Sequence, residues 1–329
     1  MRVHRRKFLH SVAGGTALAA VSGIAGAQFY PTRPITMIVP FPAGAGADAI
    51  GRILGESMRV SLDQPIVIEN ITGAGGSVGT GRVARAANDG YTVALGTWGT
   101  FVANAVAYTL SYNLLTDFEP IAPLTTQPIL IVAKKVMPAD DLKGLIAWLK
   151  ANPDKATAGT NGVGSSQHVA AIYFQSKTNT RFGLVPYRGG APALQDLLGG
   201  QIDLIFAAAA DAAALVRGGN IKAYAVMAKN RIAAAPDIPT VDEAGMPGLY
   251  VSGWFGFWAP ARTPRDVIAK LNNAATQALA DPAVRARLAA IGQDIFPSDQ
   301  QTPEALGAFH RTEIEKWWPI LKAANIKGE

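Results

Sequence analysis

The sequence contains no cysteine. That excludes disulfide bonds, a thiolate metal site and the acylated cysteine of an anchored lipoprotein. Histidine is nearly as scarce. Only His168 and His310 lie beyond residue 27, so a metal site or a catalytic triad would have to be built on one of these two. His168 follows Ser165 and Ser166, but adjacent helix positions make a serine–histidine pair awkward and no orienting carboxylate is evident. It reads as a hydrogen-bonding residue. No G-x-S-x-G, H-E-x-x-H or P-loop lysine is present. No dense basic patch interleaves with aromatic residues, which argues against nucleic acid.

The formal charge of +6 comes from 30 basic and 24 acidic residues. The first 27 residues hold four of the basic ones and no acidic one, which leaves +2 for the remainder. Those first residues read as an export signal. Arg5-Arg6-Lys7 is a twin-arginine start, Ser11 to Ile24 is weakly apolar, and Ala25-Gly26-Ala27 is a small-x-small cleavage site. The apolar run is shorter than the roughly 20 residues that span a bilayer. The expected mature chain begins at Gln28, is periplasmic and is long enough to bury a core without disulfides.

The stretch from Ile35 to Met58 sets the pattern for the rest. Ile35, Met37, Ile38 and Val39 read as a strand buried on both faces, ended by Pro40 and Pro42. Small residues follow from Ala43 to Ala47. A helix then carries Ile50, Ile53, Leu54 and Met58 on one face, with Asp48 placed to cap its start. A strand, a small-residue turn and a helix N-terminus present free amides and a partial positive charge, which suits an anion. The device recurs. Gln64 to Asn70 runs into the glycine-rich Thr72–Gly81, and Tyr91 to Gly96 ends in Thr97-Trp98-Gly99-Thr100. Ala156 to Thr160 leads into Asn161-Gly162-Val163-Gly164-Ser165-Ser166, and Phe182 to Pro186 ends in Tyr187-Arg188-Gly189-Gly190. In open α/β sheets ligands sit at such carboxyl ends of strands.

Alternating strands and helices predict an α/β fold with mostly parallel sheets. About 300 residues suggest two domains. Ile121 to Leu124 and Pro128 to Ala133 read as crossover strands, and the aromatic run Val251 to Ala259 as the return. Helices from Pro264, Pro282 and Pro303 close the chain, each with a first-turn proline. The expected organisation is a signal over 1–27, a first domain made of 28–127 and 251–329, and a second over 128–250. One rival motif stands: Gly44-Ala45-Gly46-Ala47-Asp48-Ala49 fits G-x-G-x-x-A, and Glu69 ends the next strand, as in a dinucleotide site. Pro40 and Pro42 interrupt the strand where that motif wants an unbroken entry. An exported dinucleotide-dependent oxidoreductase is the alternative to a binding protein.

Several spaced motifs resemble one family. They are Tyr30 to Gly44 with Asp48 and Arg52, Glu69-Asn70, Gly73-Ala74-Gly75-Gly76, Asp89-Gly90-Tyr91-Thr92, Gly164 to His168, Val185 to Ala191, Asp196 to Asp203 and Ile238-Pro239-Thr240. Together they resemble the solute-binding proteins of tripartite tricarboxylate transporters, the Bug family, over nearly all of the chain after the signal. The resemblance implies a two-lobed periplasmic-binding-protein clamshell of type II-like architecture, its lobes joined by crossover strands. It implies a non-enzymatic monomer without cofactor or metal that holds a small organic carboxylate. The implied partners are the permease subunits of a tripartite transporter, or a sensor. By position, the ligand residues would be Phe41, Ala43, Gly44, Gly46, Ala47 and Asp48 in the first lobe, with Thr97 and Trp98 at a further strand end. In the second they would be Thr160, Asn161, Ser165, Ser166, Tyr187 and Ala207. The family often has a polar residue, commonly Asp, where this chain has Ala207. The run Ala207 to Ala210 and the ring of Trp98 lead to the expectation of an apolar or aromatic ligand body.

Overall fold

The computed structural model describes residues 30–232 and 235–327. The export signal and the start at Gln28 lie outside the described residues. The chain opens on β1 (Ile35–Val39), whose Ile35, Met37, Ile38 and Val39 are all buried. Helix α1 (Gly46–Leu62) follows and buries Ile50, Ile53, Leu54 and Met58 as the spacing predicts. Next come β2 (Ile66–Asn70), α2 (Ser77–Ala84) and β3 (Thr92–Thr97), then a π-helical turn over Gly99–Ala103 that leads into α3 (Asn104–Ala107). Strand β1 pairs in parallel with β2 and with β3.

The two crossover strands expected over 121–124 and 128–133 are one strand, β4 (Phe118–Lys134). Pro120, Pro123 and Pro128 made the sequence look broken, because proline cannot donate to a ladder. The structure absorbs two of them in bulges. The register against β9 (Ser252–Pro260) shifts between Pro120 and Ala122 and again between Pro123 and Thr125. Between β4 and β9 lie α4 (Leu142–Ala151), β5 (Thr157–Thr160), α5 (Ser166–Thr178), β6 (Gly183–Pro186), α6 (Gly190–Leu198), β7 (Leu204–Ala208), α7 (Ala209–Arg217) and β8 (Ile221–Val226). Strand β5 pairs in parallel with β6 and β7. After β9 come α8 (Arg265–Ala280), α9 (Pro282–Ala290), β10 (Asp294–Ile295) and α10 (Pro303–Ala323). Pro282 and Pro303 open their helices, whereas Pro264 stands one residue before α8.

Both wings are therefore parallel, and the centre is antiparallel around β4. Its first part pairs with β9 and β10, and from Ile129 on it pairs with β7 and β8. A single buried cluster crosses this junction, joining Trp98, Phe101, Trp254 and Trp317 to Phe174, Phe206 and Leu145. The two halves also touch at Gly292. Its φ of +68° suits glycine, and a Cβ there would lie 1.9 Å from that of Ala210 at the start of α7.

His310 belongs to the same cluster. It is buried, its Nε2 lies 2.7 Å from the Phe101 carbonyl oxygen, and its ring meets Trp258 edge-on at 5.0 Å. Burial pulls its pKa down to about 4. The unfolded chain takes up this proton near pH 6.5, so the stability present above that pH is lost as pH falls to about 4, roughly 3 kcal/mol in all. Urea denaturation between pH 7 and 4.5 should show this loss, and His310→Gln should flatten it. An unchanged slope in the variant would assign the loss to other groups.

Candidate functional site

The strand-to-helix turns gather at the carboxyl ends of the parallel strands in each wing, as β–turn–α connections require. The turns of the two wings approach each other. A Cβ on Gly99, after β3, would stand 3.9 Å from the carbonyl oxygen of Gly164, before α5. One on Gly253 in β9 would stand 3.0 Å from Ser166 Oγ.

In the first wing, Ala43, Gly44 and Gly46 are exposed, Phe41 is half-buried, and Ala47 and Asp48 are buried. Asp48 does not cap α1, although its place near the helix start led to that expectation. The N-cap position is Ala45, and it makes no side-chain cap. Asp48 instead lies in the first turn and reaches back. Its Oδ2 accepts from the Gly44 amide and from Arg52 Nε, both at 2.9 Å, and its Oδ1 accepts from Asn70 Nδ2 at 3.0 Å. Asn70 Nδ2 also donates to the Phe41 carbonyl. The Arg52 hydrogen bond is the largest influence that holds the Asp48 pKa down at about 2. This carboxylate is thus a saturated, neutralised anchor beneath the turn. The first-turn amides of α1, on Gly46, Ala47 and Asp48, have no intrahelical partner and no side-chain cap, an arrangement that suits an anion in general.

The second wing repeats the arrangement with a serine cap. Ser165 Oγ accepts from the His168 amide at 3.1 Å and donates to the Gly162 carbonyl at 2.8 Å. His168 Nδ1 accepts from the Gly164 amide, and burial lowers its pKa, so it holds the turn as a neutral acceptor. The amides of Ser166 and Gln167 remain open at the helix start. Ser166 Oγ donates to Gln167 Oε1. Thr160 is fully buried, yet its Oγ1 has no partner among the described residues, and neither has the buried Oδ1 of Asn161. Two adjacent unsatisfied groups at the end of β5 cost about 1–3 kcal/mol each.

Other residues predicted for the site face elsewhere. Trp98 is 1% exposed. Its Nε1 donates to Glu313 Oε2 at 3.0 Å, and its ring meets Trp317 edge-on. It therefore offers no face to a ligand, because Glu313, reached only through the fold, supplies the acceptor that a buried indole needs. Ala207 is buried in β7 opposite Leu130, in the apolar cluster beneath α6 and α7. The Tyr187 hydroxyl donates to Asp196 Oδ2 at 2.6 Å, which raises its pKa to about 12 and ties the phenol to α6. Thr97 and Thr100 satisfy each other, with each hydroxyl accepting the other's amide. Sequence reasoning missed Asn70 as the bracket under the first turn, Glu313 as the acceptor for Trp98, and Asp211 near Asn161. Asp211 was visible as the sole polar residue in an alanine run. Among the described residues no group of histidines and carboxylates could hold a metal ion. Two cavities, of about 350 and 280 Å³, lie away from these turns, one beside Tyr224 and Glu243 and the other beside Trp254 and Lys316.

This fold is that of the two-lobed periplasmic binding proteins. Periplasmic binding protein BugD superposes with a TM-score of 0.77 at 37% identity, covering 91% of this chain and 100% of its own. MatC from Rhodopseudomonas palustris, solved with bound malate, gives 0.77 at 36% identity over 89% and 100%. R. palustris Rpa4515, solved with adipate, gives 0.78 at 30% identity over 90% and 99%. Residues 50–326 match the model of the tripartite tricarboxylate transporter family receptor. The chain belongs to that family. It is a solute-binding protein and not an enzyme. The dinucleotide alternative fails with that. Its acidic residue is already engaged, since Glu69 pairs with Arg82. Among the described residues no helix is long and apolar enough to cross a membrane.

Proposed function

We propose that the chain captures a small organic carboxylate between its lobes in the periplasm and passes it to the membrane subunits of a tripartite transporter, or to a sensor. The observation that carries this reading is the pair of helix N-termini, α1 and α5. Their first-turn amides are open, and no lysine or arginine lies in Phe41 to Asp48 or Thr160 to Ser166. The malate and adipate held by two structural neighbours support it. One ligand carboxylate sits on the amides of Gly46 and Ala47 with Ala43 and Gly44 around it. Asn161 and Ser166 meet the ligand from the second lobe, and Phe41, Thr97, Ser165 and Tyr187 support these turns, with the fully buried Thr160 beneath them. The lobes are residues 28–127 with 251–329, and 128–250. The change of partners along β4 near Pro128 supports that division. Arg5 and Arg6 direct export, and replacing both by lysine should leave the chain in the cytoplasm.

Calorimetry tests the reading. One malate, succinate or adipate should bind per chain and be recovered unchanged. Charge-assisted hydrogen bonds of about 1.5–3 kcal/mol each, less ordering costs, allow micromolar affinity near 8 kcal/mol. Binding should depend weakly on salt, because a desolvated carboxylate held by amides is little screened. Turnover of the ligand, or binding of none of these acids, would overturn it.

A further inference from the structure

The two reasons to expect an apolar ligand body do not survive. The ring of Trp98 is buried, and the alanine run is followed by a carboxylate. Asp211 stands in the first turn of α7. Its Oδ2 is 2.7 Å from where a Cβ on Gly190 would stand, over the N-terminus of α6, and Asn161 Nδ2 is 3.6 Å from the same point. The preceding residue, Ala210, is the one that touches Gly292 of the other lobe. Asp211 therefore lies in the wall between the lobe contact and the end of β5. It is exposed, yet enough protein surrounds its carboxylate to raise its pKa by desolvation. Among the described residues it has no hydrogen-bond or ion-pair partner, although Arg188 stands two residues before Gly190.

The chemistry of this corner differs from that of the helix turns. A carboxylate of the protein already stands at the start of α6, so a ligand carboxylate is repelled there. The groups without partners, Asp211 and the Oδ1 of Asn161, are acceptors. What they lack is a donor. We propose that Asp211, with Asn161, is the specificity determinant of the cleft and accepts a hydrogen bond from a hydroxyl or ammonium group on the ligand's carbon chain. A hydroxy- or amino-dicarboxylate is then preferred over the plain dicarboxylate of the same length. This inference rests on the carboxylate-binding reading above.

Calorimetry with succinate, malate and aspartate separates the terms, since the three differ only in the group on one carbon. Malate or aspartate should bind about 10- to 100-fold tighter than succinate, as expected for one hydrogen bond to a charged acceptor. Whichever of the two binds tighter names the donor as hydroxyl or ammonium. In Asp211→Ala the ratio should fall to within about threefold. Asp211→Asn keeps the shape while removing the charge, and should reduce the ratio as well. Equal affinities for the three acids in the natural chain, or a ratio that persists in Asp211→Ala, would overturn the inference and leave carboxylate binding intact. If none of the three binds, the carboxylate reading falls and takes this inference with it.

Discussion

Gly46→Asp should weaken dicarboxylate binding by about 100-fold or more while leaving the fold as stable as before, or slightly more so. Gly46 is the first residue of α1, it is exposed, and a Cβ there would meet nothing within 4 Å. The new side chain therefore costs no packing. A carboxylate in the first turn complements the helix dipole and adds roughly 0.3–1 kcal/mol of stability. It also occupies or repels from the amides proposed to hold the ligand. Loss of one or two charge-assisted hydrogen bonds, at about 1.5–3 kcal/mol each, accounts for the expected drop. Gly46→Ala, equally unhindered, should bind within about threefold of the natural chain. Calorimetry and urea denaturation on the same preparations check both halves. A Gly46→Asp chain that gains stability and still binds as before would show that the anion is held elsewhere.

Glu313→Ala should cost about 3 kcal/mol or more of stability, and Glu313→Gln only about 1 kcal/mol. Oε2 of Glu313 accepts from three indoles: Trp98 and Trp254 at 3.0 Å and Trp317 at 3.2 Å. All three tryptophans are buried. Removing the acceptor leaves three buried donors unpaired, at about 1–3 kcal/mol each before water from the adjoining cavity relieves some of them. Glutamine keeps the acceptor oxygen and loses the charge. That charge is itself disfavoured, since burial raises the Glu313 pKa more than the indole hydrogen bonds lower it. The carboxylate ties the end of β3, the strand β9 and helix α10 to one point, next to Thr97 and Gly99 at the lobe contact. Denaturation of the two variants decides the matter. Equal costs below about 1 kcal/mol would mean that water replaces the carboxylate freely.

The strand–turn–helix units were legible because their signals are local. Alternation of buried runs with amphipathic stretches, glycines at turns and prolines at helix starts each act within a few residues. The free amides of α1 and α5 follow from the same signals. A small-residue turn before a helix leaves its first-turn donors open wherever the helix is later packed. The Pro282 and Pro303 helices begin where the sequence places them.

What the tertiary structure decided were the partners of side chains able to take several. Asp48 could cap its own helix or bind backwards. Asn70 and Arg52, brought in by β1–β2 pairing and the helix turn, made backward bonding the better-satisfied state for a buried carboxylate. Prolines that read as breaks became bulges once β9 and β10 flanked β4, because the ladder could shift register around them. Trp98 could face a ligand or the core, and an acceptor 215 residues away settled it. Asp211 and Asn161 both stand beside Gly190 only because β7 pairs beside β5. Local pattern fixes the period of an element and the turns that end it. The partner of a buried polar atom is set by whichever group the fold delivers within about 3 Å, and a one-dimensional pattern carries no record of that distance.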